Sequence, residues 1–146
     1  CCACGASSTT NDKKIVEKLH LFGEMAGIAF QIKDDLFDYT HNPIIGKPTG
    51  IDIREQKMTL PLIYTLNISD RMQKKKIINT IKNHNNDSKK VAELIALVKE
   101  SGGLDYAITK MNEYHQRALA ILEEFESCEA KTALKKMIDF VIHRKQ

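Results

Sequence analysis

The 146 residues predict an all-α chain. Apolar residues recur at steps of three and four along most of the sequence, the period of one helix face. The alternation expected of a half-buried strand is absent, and so is any internal repeat. The breaks between the apolar stripes carry residues that start and stop helices, as at Ser69-Asp70, Ser88 and Gly102-Gly103.

Taken in order, residues 1–6 read as the tail of a helix, and residues 7–11 as a polar turn with N-cap chemistry. A long helix follows over about residues 12–39, with Ile15, Leu19, Phe22, Met25, Ala26, Ala29 and Phe30 on one stripe. Gly23 and Gly27 lie four apart on it. Each costs about 1 kcal/mol relative to alanine, which close approach of a neighbouring helix or a substrate would offset; a tolerated helix glycine is an equal alternative. Residues 41–50 form a loop punctuated by Pro43, Gly46, Pro48 and Gly50. Thr59 can cap a short helix with Pro61 in its first turn, reaching about Leu66. Ser69 and Asp70 open another helix, to about Asn83. Ser88 begins a helix carrying Val91, Leu94, Ile95 and Val98, which Gly102-Gly103 stops. The next stripe is Leu104, Ala107, Ile108, Met111, Tyr114, Ala118, Ile121, Leu122 and Phe125. Ser127 caps the last helix, with Leu134, Met137, Ile138, Val141 and Ile142. These stripes read as core.

Composition narrows the class. Hydrophobic content of 42% and charged content of 28% suit a soluble globular protein of one compact domain. A net charge of +3 is too mild to argue for nucleic acid, and no apolar run approaches the ~20 residues that span a bilayer. Cys1, Cys2 and Cys4 crowd together, but without a second close pair or nearby histidines they read as small buried residues of a cytosolic helix. The start at CCACGASS, with no initiator Met or signal-peptide pattern, suggests a truncated or cleaved chain, with loss of the Met alone as the alternative. The five histidines are scattered and none is assigned to catalysis.

The chemistry gathers in GIAFQIKDDLFDYTHNPIIGKPTGIDIREQKMTLP, residues 27–61. On a helix Asp34 and Asp38 stand about 40° apart, Asp35 and Asp38 about 60°, and Gln31 joins that face one turn earlier. Three carboxylates at one spot repel, a cost offset by a divalent cation between them. Oxygen donors with no His or Cys suit Mg²⁺ or Mn²⁺ rather than zinc. Lys47 and Lys57 flank a glycine-containing loop with Asp52 between them, and a lysine point charge suits a diphosphate oxygen. Taken alone, DDxxD reads more readily as a solvated acidic face, with the lysines as ordinary surface.

The flanking residues change that balance. Phe30-Gln31, Asp34-Asp35-Leu36-Phe37-Asp38, Gly46-Lys47, Gly50, Asp52, Lys57, Thr59 and Pro61, in this order and spacing, resemble the second aspartate-rich region of the trans-polyprenyl diphosphate synthases (the polyprenyl synthetase family). The chain from Cys1 to Arg144 is similar to the C-terminal half of such an enzyme. The resemblance implies the C-terminal portion of an isoprenoid-synthase-type helical bundle, with residues 1–146 as part of a single domain. It implies Asp34 as main metal ligand, Asp35 and Asp38 completing the cluster directly or through water, and Asp52 holding metal-bound water or orienting Lys57. Gln31 would face the reacting end of the allylic substrate, and Phe30 would line the apolar pocket or serve as core. Lys47 and Lys57 would contact the allylic diphosphate. Arg144 would help bind the second diphosphate, or serve as a helix C-terminal cation.

The activity so implied is Mg²⁺-dependent condensation of an allylic prenyl diphosphate with isopentenyl diphosphate, by a cytoplasmic homodimer. That reaction needs a first Asp-rich motif on a facing helix, and the 146 residues hold no second DDxxD or DDxxxxD. The chain alone is therefore expected to be inactive. A non-catalytic helical subunit or interaction module of a heteromeric synthase is the alternative. A terpene cyclase ranks below both, because its second metal motif is typically built on Asn, Ser and Glu.

Overall fold

The computed structural model describes residues 1–40 and 49–144. Among them α helices follow one another without a strand. They are α1 (Cys2–Ser7), α2 (Lys13–Phe37), α3 (Ile51–Arg54), α4 (Leu60–Ile68), α5 (Arg71–Asn83), α6 (Ser88–Glu100), α7 (Gly103–Glu123) and α8 (Glu129–His143). None is long and apolar enough to cross a membrane.

The chain divides into two compact units. The first holds described residues 1–33 and 110–144. Its core is Phe22, Met25, Ala118, Leu122 and Ile138, with Cys2, Ala26, Tyr114 and Leu134 packed against it. The stripes read from α2, α7 and α8 meet here. Gly23 is where α1 comes close: a Cβ there would stand 3.0 Å from the Cys2 sulfur. Nothing lies within 4 Å of the corresponding point at Gly27. Buried His115 meets Asp139, with Nε2 2.8 Å from Oδ1, which joins α7 to α8.

The second unit runs over Asp34–Thr109. Tyr39, Ile53, Leu62, Ile77, Ile81, Val91, Leu94, Ile95 and Val98 form its core. Gly50 enters α3 at φ 77°, a left-handed conformation, and a Cβ there would fall 2.7 Å from Val91. Asp70 caps α5 by accepting from the Gln73 N–H at 2.7 Å, and Asp87 caps α6 through the N–H groups of Lys89 and Lys90.

Several expectations need correction at helix ends. Thr59 precedes α4 but its hydroxyl makes no cap; it is drawn to Tyr39 instead. Gly102, at φ 80°, follows the end of α6, but Gly103 opens α7. Cys128, not Ser127, caps α8, its sulfur accepting from the Lys131 N–H at 3.4 Å. The one-turn helix α3 falls where no apolar stripe is long enough to show a period. Ile108 and Met137, read as core, are exposed, and so are Cys1 and Cys4.

Candidate functional site

In the second unit, three consecutive pieces of chain are tied to the end of α2. The helix stops at Phe37 because Asp38 and Tyr39 leave it through tight i→i−3 turns. Asp38 therefore lies just past the end of the α-helix that carries Asp34 and Asp35. Its carboxylate turns to the start of α3, where Oδ1 accepts from the Ile51 N–H at 2.8 Å and Oδ2 from the Asp52 N–H at 3.1 Å. The Gly50 N–H also donates to the Asp38 carbonyl at 3.0 Å. The free N–H groups of a helix start need such acceptors, and a one-turn helix cannot stand without them.

Asp35 holds the next piece. Its Oδ2 accepts from the Leu60 N–H at 3.3 Å, at the first residue of α4. Beneath it, fully buried Tyr39 places its hydroxyl 2.5 Å from the Thr59 hydroxyl. This explains the missing Thr59 cap: the side chain is committed to Tyr39. Burial pushes the Tyr39 phenol well above its ordinary pKa, with Asp38, Asp35 and Asp52 adding to the rise and the Thr59 hydrogen bond opposing it. The phenol thus stays protonated beside the carboxylates. Asp34, Asp35, Asp38 and Asp52 are all half-buried.

Lys57 is set by a sharp reversal after α3. The Lys57 N–H bonds the Asp52 carbonyl at 2.8 Å and the Gln56 N–H bonds the Ile53 carbonyl at 3.0 Å, a Schellman motif. Its left-handed position is filled by Gln56, at φ 59° the one non-glycine residue with positive φ among those described. The reversal brings the Lys57 ammonium 2.6 Å from Glu55 Oε2 and 3.3 Å from Asp52 Oδ1. The Glu55 hydrogen bond first, and Asp52 second, hold the ammonium above its ordinary pKa.

Of the residues expected in the site, Asp38, Asp52 and Lys57 are thus joined in one network within this unit, while Asp35 is bound to the start of α4. Lys47 lies outside the described residues. Phe30, Gln31 and Arg144 belong to the first unit. There Phe30 is exposed rather than core, and the Arg144 guanidinium stands 4.5 Å above its ring centroid. Burial, and then Arg144, lower the pKa of Lys33. Sequence reasoning gave no role to Tyr39, Glu55 or Gln56. Tyr39 directly follows the acidic cluster and could have been suspected; Gln56 carries no signal, because glycine or asparagine is the usual left-handed residue.

Among the described residues no three His, Cys, Asp or Glu side chains gather closely enough to hold a metal by themselves. The donors still fit a hard cation that takes one or two carboxylates and completes its shell with water and phosphate oxygen. Asp34 and Asp35 offer adjacent half-buried carboxylates on the last turn of α2.

Residues 1–98 match the family model described as polyprenyl synthetase. The chain is 33% identical over 130 residues to a short chain isoprenyl diphosphate synthase of Methanothermobacter thermautotrophicus, covering 88% of this chain and 39% of that relative. It is similar in structure to a geranylgeranyl pyrophosphate synthase from Bacteroides thetaiotaomicron (TM-score 0.89, 34% identity), covering 99% of this chain and 48% of that one. It is also similar to a polyprenyl synthase from Caulobacter crescentus complexed with calcium and isoprenyl diphosphate (TM-score 0.83, 30% identity), covering 99% and 44%. The chain thus spans less than half the length of each of these proteins.

Proposed function

Since this chain belongs to the polyprenyl synthetase family, we propose that it forms the diphosphate-holding acidic wall of a prenyl diphosphate synthase that condenses an allylic prenyl diphosphate with isopentenyl diphosphate. The observation that carries this reading is the network in which Asp38 fixes the Asp52 backbone N–H and Asp52 stands against Lys57, in the unit that also holds Asp34 and Asp35. It holds a lysine for the anion against an aspartate, in a unit whose α2 end supplies two further carboxylates for a cation.

Asp34 is the principal ligand for Mg²⁺, with Mn²⁺ a workable substitute, and Asp35 supports it. Asp38 and Asp52 complete the acidic wall. When bound, the metal would supply Lewis-acid stabilisation of negative charge on the departing diphosphate. Lys57, together with Lys47, binds the allylic diphosphate and takes up part of the charge as its C–O bond breaks. Gln31 faces the allylic carbon, and Phe30 offers an apolar wall to the cation formed there. The isopentenyl double bond then attacks that carbon, and the departing diphosphate accepts the proton lost. Arg144 would help bind the second diphosphate, or serve as a cation at the C-terminal end of α8. The relative crystallised with calcium and isoprenyl diphosphate supports a divalent cation beside a prenyl diphosphate as the ligand class.

On this reading residues 1–146 are part of one catalytic domain. The facing Asp-rich motif comes from sequence outside this chain, because only one DDxxD occurs within it. The working form is a cytoplasmic homodimer. Incubated alone with labelled isopentenyl and farnesyl diphosphates in Mg²⁺, this chain should form no elongated product. Elongated product from this chain alone would overturn the assignment of one wall.

A further inference from the structure

Lys57 is a described cation on which the diphosphate reading depends, and its ammonium is already engaged by two anions. The two differ in how firmly they are held. Asp52 is half-buried on α3, and its backbone N–H is fixed by Asp38. Glu55 is exposed at the end of α3, and among the described residues its carboxylate pairs only with Lys57. Yet Glu55 makes the shorter contact, 2.6 Å against 3.3 Å.

The left-handed turn at Gln56 produces this arrangement. It folds Lys57 back over the end of α3, which points the ammonium at Asp52 on that short helix and at Glu55 on its C-cap. Gln56 is steadied there by donating from Nε2 to the Lys82 carbonyl at 3.5 Å, and the Arg54 carbonyl beside it accepts from Asn85 Nδ2 at 2.6 Å. A left-handed non-glycine residue costs about 1–2 kcal/mol, and such strain collects where a functional side chain must be aimed.

A carboxylate on the ammonium opposes an incoming diphosphate twice. It occupies an N–H direction that a phosphate oxygen would use, and its charge repels the anion. We infer that Glu55 is an affinity-setting residue that holds the Lys57 ammonium in the ligand-free chain and is displaced from it by diphosphate, while Asp52 keeps Lys57 oriented. The inference rests on the reading of Lys57 as a diphosphate contact. The effect is modest, because an exposed ion pair competes with water and is screened by salt.

The test is calorimetric titration of inorganic diphosphate, in saturating Mg²⁺ and low salt, into the intact chain and into Lys57→Ala, Glu55→Gln and Glu100→Gln. Lys57→Ala should weaken binding severalfold. Glu55→Gln should tighten it about two- to fivefold, the range of an exposed pair, and the gain should shrink in high salt. Glu100→Gln removes the same charge from an exposed carboxylate that does not touch Lys57, and it should leave the affinity unchanged. If Lys57→Ala weakens binding but Glu55→Gln does not tighten it, or Glu100→Gln tightens it equally, the role of Glu55 is overturned and the diphosphate reading stands. If the intact chain takes up diphosphate no better than Lys57→Ala, both are overturned.

Discussion

At Gln56 a single backbone angle decides where the Lys57 ammonium points. With φ at 59°, the Cβ of Gln56 crowds its own backbone, a penalty glycine does not have. Gln56→Gly relieves that crowding but frees the unfolded chain and gives up the long bond to the Lys82 carbonyl, so the net gain is about 0.5 kcal/mol. A shift of the urea midpoint to higher concentration at unchanged slope would show it; an unchanged or lower midpoint would mean the angle carries no strain. This residue was illegible in the sequence, since nothing in REQK distinguishes a left-handed Gln from a helical one. Lys57 was singled out from the sequence because a lysine after an acidic cluster suits phosphate chemistry. Its pairing with Glu55 depends on the turn between them and could not be read.

Among the elements, α2 carries the most structure beyond its own length. Its stripe was plain from the three- and four-residue steps, and its extent was read to within two residues at each end. Its last turn was read as continuing through Asp38, and there tertiary demand overrides helical spacing: the N–H groups of Ile51 and Asp52 need an acceptor. Tyr39 likewise claims the Thr59 hydroxyl at the N-cap of α4, while Cys128 caps α8 where Ser127 was expected. Tyr39 also gives the latch between α2 and α4 a pH signature. Its folded pKa is raised, so above the unfolded value, near 10, the folded state holds a proton that the unfolded state loses. Its contribution to stability is complete below that pH and declines as pH rises further, at up to about 1.4 kcal/mol per unit. Tyr39→Phe should flatten that alkaline decline while lowering stability at neutral pH through loss of the Thr59 hydrogen bond. Stability measured between pH 8 and 11 would decide it, and an unchanged alkaline slope in the variant would contradict the buried, protonated phenol.

For the whole molecule, an all-helical architecture and a polyprenyl synthetase relationship were both legible, the first from periodicity and the second from ordered residues between Phe30 and Pro61. The division into two compact units was not, because it depends on which stripes meet rather than on the stripes themselves. The candidate site was legible as a set of residue types and only partly as geometry. Of the four aspartates, Asp38 has both oxygens on backbone N–H groups, Asp35 accepts from the Leu60 N–H and Asp52 stands on Lys57; on the proposed reading Asp34 is the principal metal ligand. The most direct test is the affinity of the chain for inorganic diphosphate with Mg²⁺ present and with the metal chelated, compared between the intact chain and Asp34→Ala at equal helical circular dichroism. Mg²⁺ should raise the affinity of the intact chain by about tenfold or more, the scale of one charge-assisted contact, and should do little for Asp34→Ala. A metal-dependent gain that survives undiminished in Asp34→Ala would contradict the account.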